Sequence, residues 1–238
     1  MYPQRIEEFH LVKFTNHPTV AIYRRGFLPL SETFISDHIH HLNRYKPVII
    51  TERLLNDMMV DGHVPHLMHR SQAGRYEKLY SRVTGNYRHI GDLLSEPRTR
   101  LIHAHFLQDG ASILPLAARR GIPLVVTAHG YDATVTAREH ARRTEGLWYL
   151  ALKPFLRRYV HGVICVSQWI KQCLLEAGYP EEKLRVIPLG IDTASLPIRH
   201  RPSNGAERCS LAGWWRRRAS TICSMPGHNC PPAPEASR

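Results

Sequence analysis

The stretch from Leu101 to Asp132, LIHAHFLQDGASILPLAARRGIPLVVTAHGYD, constrains the fold of this chain more than any other. Two short apolar runs, Leu101 to Ala104 and Leu124 to Ala128, flank an Ala/Leu-rich segment with helical spacing from Ala111 to Arg120. That is the pattern of a βαβ unit, whose crossover is right-handed. Polar residues mark the end of each run: His103, His105 and Gln108 at the first, His129, Gly130 and Asp132 at the second. Ligands of open parallel sheets bind at the carboxyl ends of the strands. His129 to Asp132 is therefore the first candidate for chemistry, with Gly130 permitting close backbone approach.

Similar units flank this one. Thr19 to Tyr23 reads as a first strand, followed by a loop from Arg24 to Leu30 and a helix capped by Ser31 with Phe34, Ile35, Ile39 and Leu42 at helical spacing. Gly26 and the amides near Ser31 lie beside that strand's end, where a helix N-terminus can hold an anion or Ser31 can simply cap. Pro47 to Thr51 reads as a second strand, and Glu52 to Arg100 has weak periodicity, with a helix over Tyr76 to Leu94. Leu147 to Val160 reads as an amphipathic helix, either packed on the sheet or touching lipid through Trp148 and Phe155. Gly162 to Val166 and Leu184 to Ile187 read as further strands, with Ser167 and Gly190 at their carboxyl ends. The fold class expected is α/β: a Rossmann-like parallel sheet with helices on both faces.

Taken together, Ile102 to Phe106, Gly121 to Gly130 ending in T-A-H-G, Asp132, LPLSETFISDHIHHL from Leu28 to Leu42, and Val166 to Asp192 ending in V-I-P-L-G-I-D resemble the amino-terminal half of a retaining, family-four glycosyltransferase of the GT-B fold. The resemblance spans most of Thr19 to Ala194. It implies a nucleotide-sugar as donor substrate, no cofactor, and a polysaccharide or lipid-linked acceptor, with the S-E-T-F-I segment similar to exopolysaccharide and lipopolysaccharide assembly enzymes. It also implies that His129 and Asp132 are catalytic, with Asp132 orienting His129 or the acceptor. Gly26, Ser31, Glu32, His105, Gly130, Ser167 and Gly190 would bind substrate.

The family's donor side needs a second domain of similar size, for which 238 residues leave no room. The expectation is a truncated acceptor-side half over 1–194, inactive alone, and a disordered tail over 195–238. Read one base earlier, Trp214-Trp215 force a Val and Met225-Pro226 an Ala, and permissible codons spell FVGRLVEKKGVDYLLHAWAQLP. That peptide resembles the opening of the family's donor domain, so a frameshift between Ser203 and Cys209 is expected.

Composition narrows the partners. A net charge of +12 suits an anionic partner such as a membrane surface or phosphate. The basic residues are mostly scattered pairs (Arg24-Arg25, Arg119-Arg120, Arg142-Arg143, Arg157-Arg158) without a nucleic-acid motif, which argues against nucleic acid. MYPQRIEEFH has no leader pattern, no run approaches a membrane span, and five cysteines form no C-x-x-C pair, so a cytoplasmic protein in peripheral membrane contact is expected. A resident metal is not expected: His38, His40 and His41 are assigned to a solvated helix, and His103-Ala104-His105 supplies two ligands. The alternative to a transferase is a non-catalytic Rossmann-like module that binds an anionic partner through its basic surface.

Overall fold

The computed structural model describes residues 17–27, 32–55, 63–70, 72–95 and 99–190. Ser31, the loop over 28–30 and the tail over 195–238, with the frameshift expectation, lie outside the described residues.

The chain opens on strand β1 (Thr19–Tyr23), a short strand β2 (Gly26–Phe27) and helix α1 (Thr33–His40). Strands β3 (Lys46–Thr51), β4 (Arg53–Leu54) and β5 (His66–Leu67) follow, then helices α2 (Arg75–Thr84) and α3 (Gly91–Ser95). The predicted βαβ unit is β6 (Thr99–His105), α4 (Leu107–Arg120) and β7 (Leu124–Ala128). Two one-turn helices, α5 (Tyr131–Thr134) and α6 (Ala137–His140), lead into α7 (Thr144–Tyr159), β8 (Gly162–Cys165), α8 (Gln168–Glu176) and β9 (Leu184–Val186).

Seven strands form one sheet in the order β5-β3-β1-β6-β7-β8-β9, parallel throughout, as expected; β2 and β4 pair separately. Alternation along each strand sorts the side chains between two faces. Val20, Ile22 and Ile49 meet Ile35 and Ile39 of α1 on one face. Ala21, Tyr23, Ile102, Ala104, Val126 and Val163 join the buried residues of α4, α7 and α8 on the other. Close seating of α4 requires Gly110, since a Cβ there would stand 2.6 Å from Cγ2 of Val126.

Strand order reverses direction between β1 and β6. Chain leaving β1 returns leftward through α1 to β3, whereas chain leaving β6 runs rightward through α4 to β7. The connections diverge there, at the carboxyl ends of β1, β6 and β7, which is where open parallel sheets bind their ligands.

Candidate functional site at the carboxyl edge of the sheet

Beyond β7 the backbone turns sharply. Gly130 has φ 128° and ψ −68°, a conformation open to glycine. The turn is held by Asp132: one carboxylate oxygen accepts from the amides of His129 (3.0 Å) and Gly130 (2.9 Å), the other from the amide of Leu107 (2.9 Å). One carboxylate thus ties the end of β7 to the first turn of α4. Asp132 is 2% exposed. Burial pushes its carboxyl above the ordinary value, and the three amides act against that shift. The resemblance assigned Asp132 a catalytic role. Both of its oxygens are engaged by main-chain amides, one of them that of His129, the residue that the resemblance expects it to orient.

His129 stands at the strand tip. Its ring centroid lies 4.5 Å from that of Phe34 and 4.7 Å from that of Phe106, and its Nε2 is 3.0 Å from Nδ1 of His105. The remaining nitrogen, Nδ1, is buried and has no hydrogen-bond partner. Burial, then Arg24 and His38, pull its pKa down to about 4. His105 is also lowered well below its ordinary value, mainly by burial. Both rings are therefore neutral at physiological pH, and each can offer one donor and one acceptor.

Phe106 carries a second backbone distortion: φ is 71° at a non-glycine residue. Such positions cost about 1–3 kcal/mol and persist where surroundings overdetermine them. Here the amide of Phe106 donates to the carbonyl of Thr127 (2.9 Å), and its ring lies under the Arg24 guanidinium at 4.5 Å. Arg24 is the first residue past β1. It donates to both oxygens of Glu32 (2.8 and 2.7 Å) and to Asp109 (2.7 Å). Burial would loosen its proton, but the two carboxylates outweigh that and raise its pKa. The Arg25 amide also donates to Asp109 (2.8 Å), and its side chain reaches Glu145 at 2.7 Å.

Several expected binding residues sit differently in the structure. Glu32 is 8% exposed with both oxygens on Arg24, so it supports that arginine instead of lining open space. Gly26 is buried in the β2–β4 ladder, where an added side chain would meet Leu55 at 3.2 Å. Ser167 accepts from the Ile170 amide (3.2 Å) and thus caps α8. Gly190 is exposed past the end of β9, and His105 is 2% exposed behind His129.

The largest correction concerns His38. It is three residues from Ile35 and four from Leu42, which places it on the buried stripe of α1 and not on a solvated face. Its ring lies 4.9 Å from that of His103 and 5.5 Å from that of His105. The sequence reading also passed over Arg24 and Asp109. Arg24 was counted among scattered basic pairs, although its place immediately after an apolar strand marks it for the cleft edge.

Residues 45–195, more than half of the chain, match the Glycosyltransferase Family 4 family. The chain belongs to that family. No protein of curated function matches it. Among solved structures, Anabaena HepE in complex with UDP and glucose is similar at 17% identity, over 74% of this chain and 45% of that one, with a TM-score of 0.51. A glycosyltransferase from Rickettsia africae matches at 18% identity (77% of this chain, 47% of that one, TM-score 0.49). A UDP-N-acetylglucosamine 2-epimerase from Rickettsia bellii matches at 10% (88% and 50%, TM-score 0.49). This Glycosyltransferase Family 4 chain therefore spans about half the length of the solved proteins it matches. No helix among its described residues is long and apolar enough to cross a membrane.

Proposed function

We propose that this chain forms the acceptor-side wall of a retaining, nucleotide-sugar-dependent hexosyltransferase acting on a polysaccharide or lipid-linked acceptor in exopolysaccharide or lipopolysaccharide assembly. The observation that carries the reading is the unpartnered Nδ1 of His129, at the carboxyl edge of a family-four sheet. Transfer of a sugar builds negative charge on the departing diphosphate and needs the acceptor hydroxyl held in line. A neutral imidazole N–H suits a sugar hydroxyl or a phosphate oxygen, and binding would satisfy an atom that is otherwise desolvated for nothing. Asp132 and the Arg24 network hold the ring and its turn in place. HepE, with the same fold, binds UDP and glucose; the parallel supports a nucleotide-sugar here. Leu147, Phe155 and Tyr159 on α7 are exposed, each by more than half, which suits contact with a lipid surface.

Donor contacts are expected from a further domain. Incubation with radiolabelled UDP-glucose and bacterial membrane lipids tests the division of labour. No turnover is expected from the 238-residue chain, and transfer is expected from a version whose reading frame continues into a donor domain. Turnover by the shorter chain would contradict this. Failure of both, with anion binding retained, would favour the non-catalytic module.

A further inference from the structure

Three imidazoles meet behind the candidate site. His38 comes from α1, His103 and His105 from the same face of β6, and one ring nitrogen of each lies within 4.8 Å of those of the other two. The His103 and His105 rings stack at 4.8 Å, two residues apart on one strand. Each is oriented from its far side: Nε2 of His103 lies 2.7 Å from the Thr127 hydroxyl, and Nδ1 of His105 lies 3.0 Å from His129. Nε2 of His105 is left buried with no hydrogen-bond partner, in a residue 2% exposed.

An orphaned imidazole nitrogen is costly in a core, and packing alone gives no return for it. Gathering three imidazoles there in place of apolar side chains, two of them buried and His38 half-buried, compounds the cost. We propose that His38, His103 and His105 bind a divalent borderline metal ion of the zinc class.

The donor set decides the class. Three neutral imidazoles without a carboxylate suit Zn²⁺, Co²⁺ or Ni²⁺ and are poor for Mg²⁺ or Ca²⁺, which want oxygen ligands. Ligands 2.0–2.1 Å from a tetrahedral ion stand about 3.3 Å apart, so the rings draw together by roughly 1 Å on binding. Thr127 and His129 already supply the hydrogen bonds from the outer side that metal-bound histidines use to fix their rings. An entry path also exists: a groove of about 200 Å³, lined by apolar residues such as Val20, Leu101 and Ile164, opens on His38 and His103. A water in that groove would complete the tetrahedron.

Binding would pin α1 to the sheet. It would also fix a tautomer. With the metal on Nε2 of His105, the proton sits on Nδ1 and is donated to Nε2 of His129, which leaves His129 with an Nδ1 proton to donate. This last consequence rests on the transferase reading above; the metal site itself does not.

The test uses the 238-residue chain freed of metal with a chelator. Titration with Zn²⁺ by calorimetry, and with Co²⁺ by visible absorption, is expected to give one tight equivalent and a tetrahedral Co²⁺ band. His38→Ala should weaken that equivalent about 100-fold and abolish the band. His41→Ala, three residues further on and exposed at the end of the helix, should leave both unchanged. Zn²⁺ should raise the thermal midpoint of the parent and not of His38→Ala. His38→Gln repeats the comparison if the alanine variant does not fold. Absence of a tight equivalent in the parent, or its survival in the His38 variants, overturns the proposal.

Discussion

Replacing Arg24 with methionine is expected to cost about 3–5 kcal/mol of folding stability, because it strands two carboxylates that have little access to water. Asp109 is 1% exposed and Glu32 8%. The guanidinium bonds to both and covers Phe106, so one substitution removes three charged hydrogen bonds and a cation–π contact. Methionine preserves much of the stem's packing, which isolates the electrostatic loss. Damage should spread to the site, since Phe106 keeps its strained φ of 71° under the arginine and contacts the His129 ring. Urea unfolding of the parent and of Arg24→Met measures the difference. Adding Asp109→Asn should recover part of it, because the amide no longer buries a charge held by Arg25 alone. A loss below about 1 kcal/mol would show that the network is solvated and peripheral.

Mild acid should have the second large effect. His103 is buried with its pKa lowered to about 3, first by burial and then by His38 and His129; His129 is lowered to about 4. Unfolded, both take up a proton near pH 6.5. Between 6.5 and the folded values the unfolded chain binds more protons, so stability falls as pH falls. The contribution is whole above pH 6.5 and is lost progressively below it, at about 1.4 kcal/mol per unit for each such histidine. At pH 4.5, His103 alone accounts for roughly 2–3 kcal/mol. Thermal unfolding from pH 7.5 to 4.5, in chelator to exclude metal release, should show a steep drop in midpoint that His103→Asn makes shallower. A flat profile across that range would mean that the histidines are hydrated in the folded protein.

The strands were legible because they are short runs rich in β-branched residues and largely buried: Thr19 to Tyr23 and Leu124 to Ala128 coincide with β1 and β7. The start of α4 was not. Its first turn, Leu107 to Gly110, carries a single apolar side chain, Leu107, yet Asp109 is buried there because it pairs with Arg24 across 85 residues. Local periodicity carries no trace of such a partner. Glu52 to Arg100 was obscure for another reason. β4 and β5 are two residues each, and Ser81 is the buried residue of α2, so little apolar period exists to read.

The carboxyl-edge site was legible as a place and not as an arrangement. His129, Gly130 and Asp132 follow a recognisable strand, but whether a carboxylate faces a substrate or three amides depends on where α4 begins. His38 was readable in principle. Its spacing from Ile35 and Leu42 puts it on the buried stripe, and assigning it to a solvated histidine run ignored that spacing.

The claim on which the rest depends is that the half-buried His129 ring at the strand tip helps to hold the reacting sugar. Transfer from radiolabelled UDP-glucose by the frame-continued protein, compared with its His129→Ala variant, tests it most directly. The account predicts a fall of about 100-fold in kcat/KM, with the variant still folded by circular dichroism. A folded variant that transfers sugar as fast as its parent would contradict it.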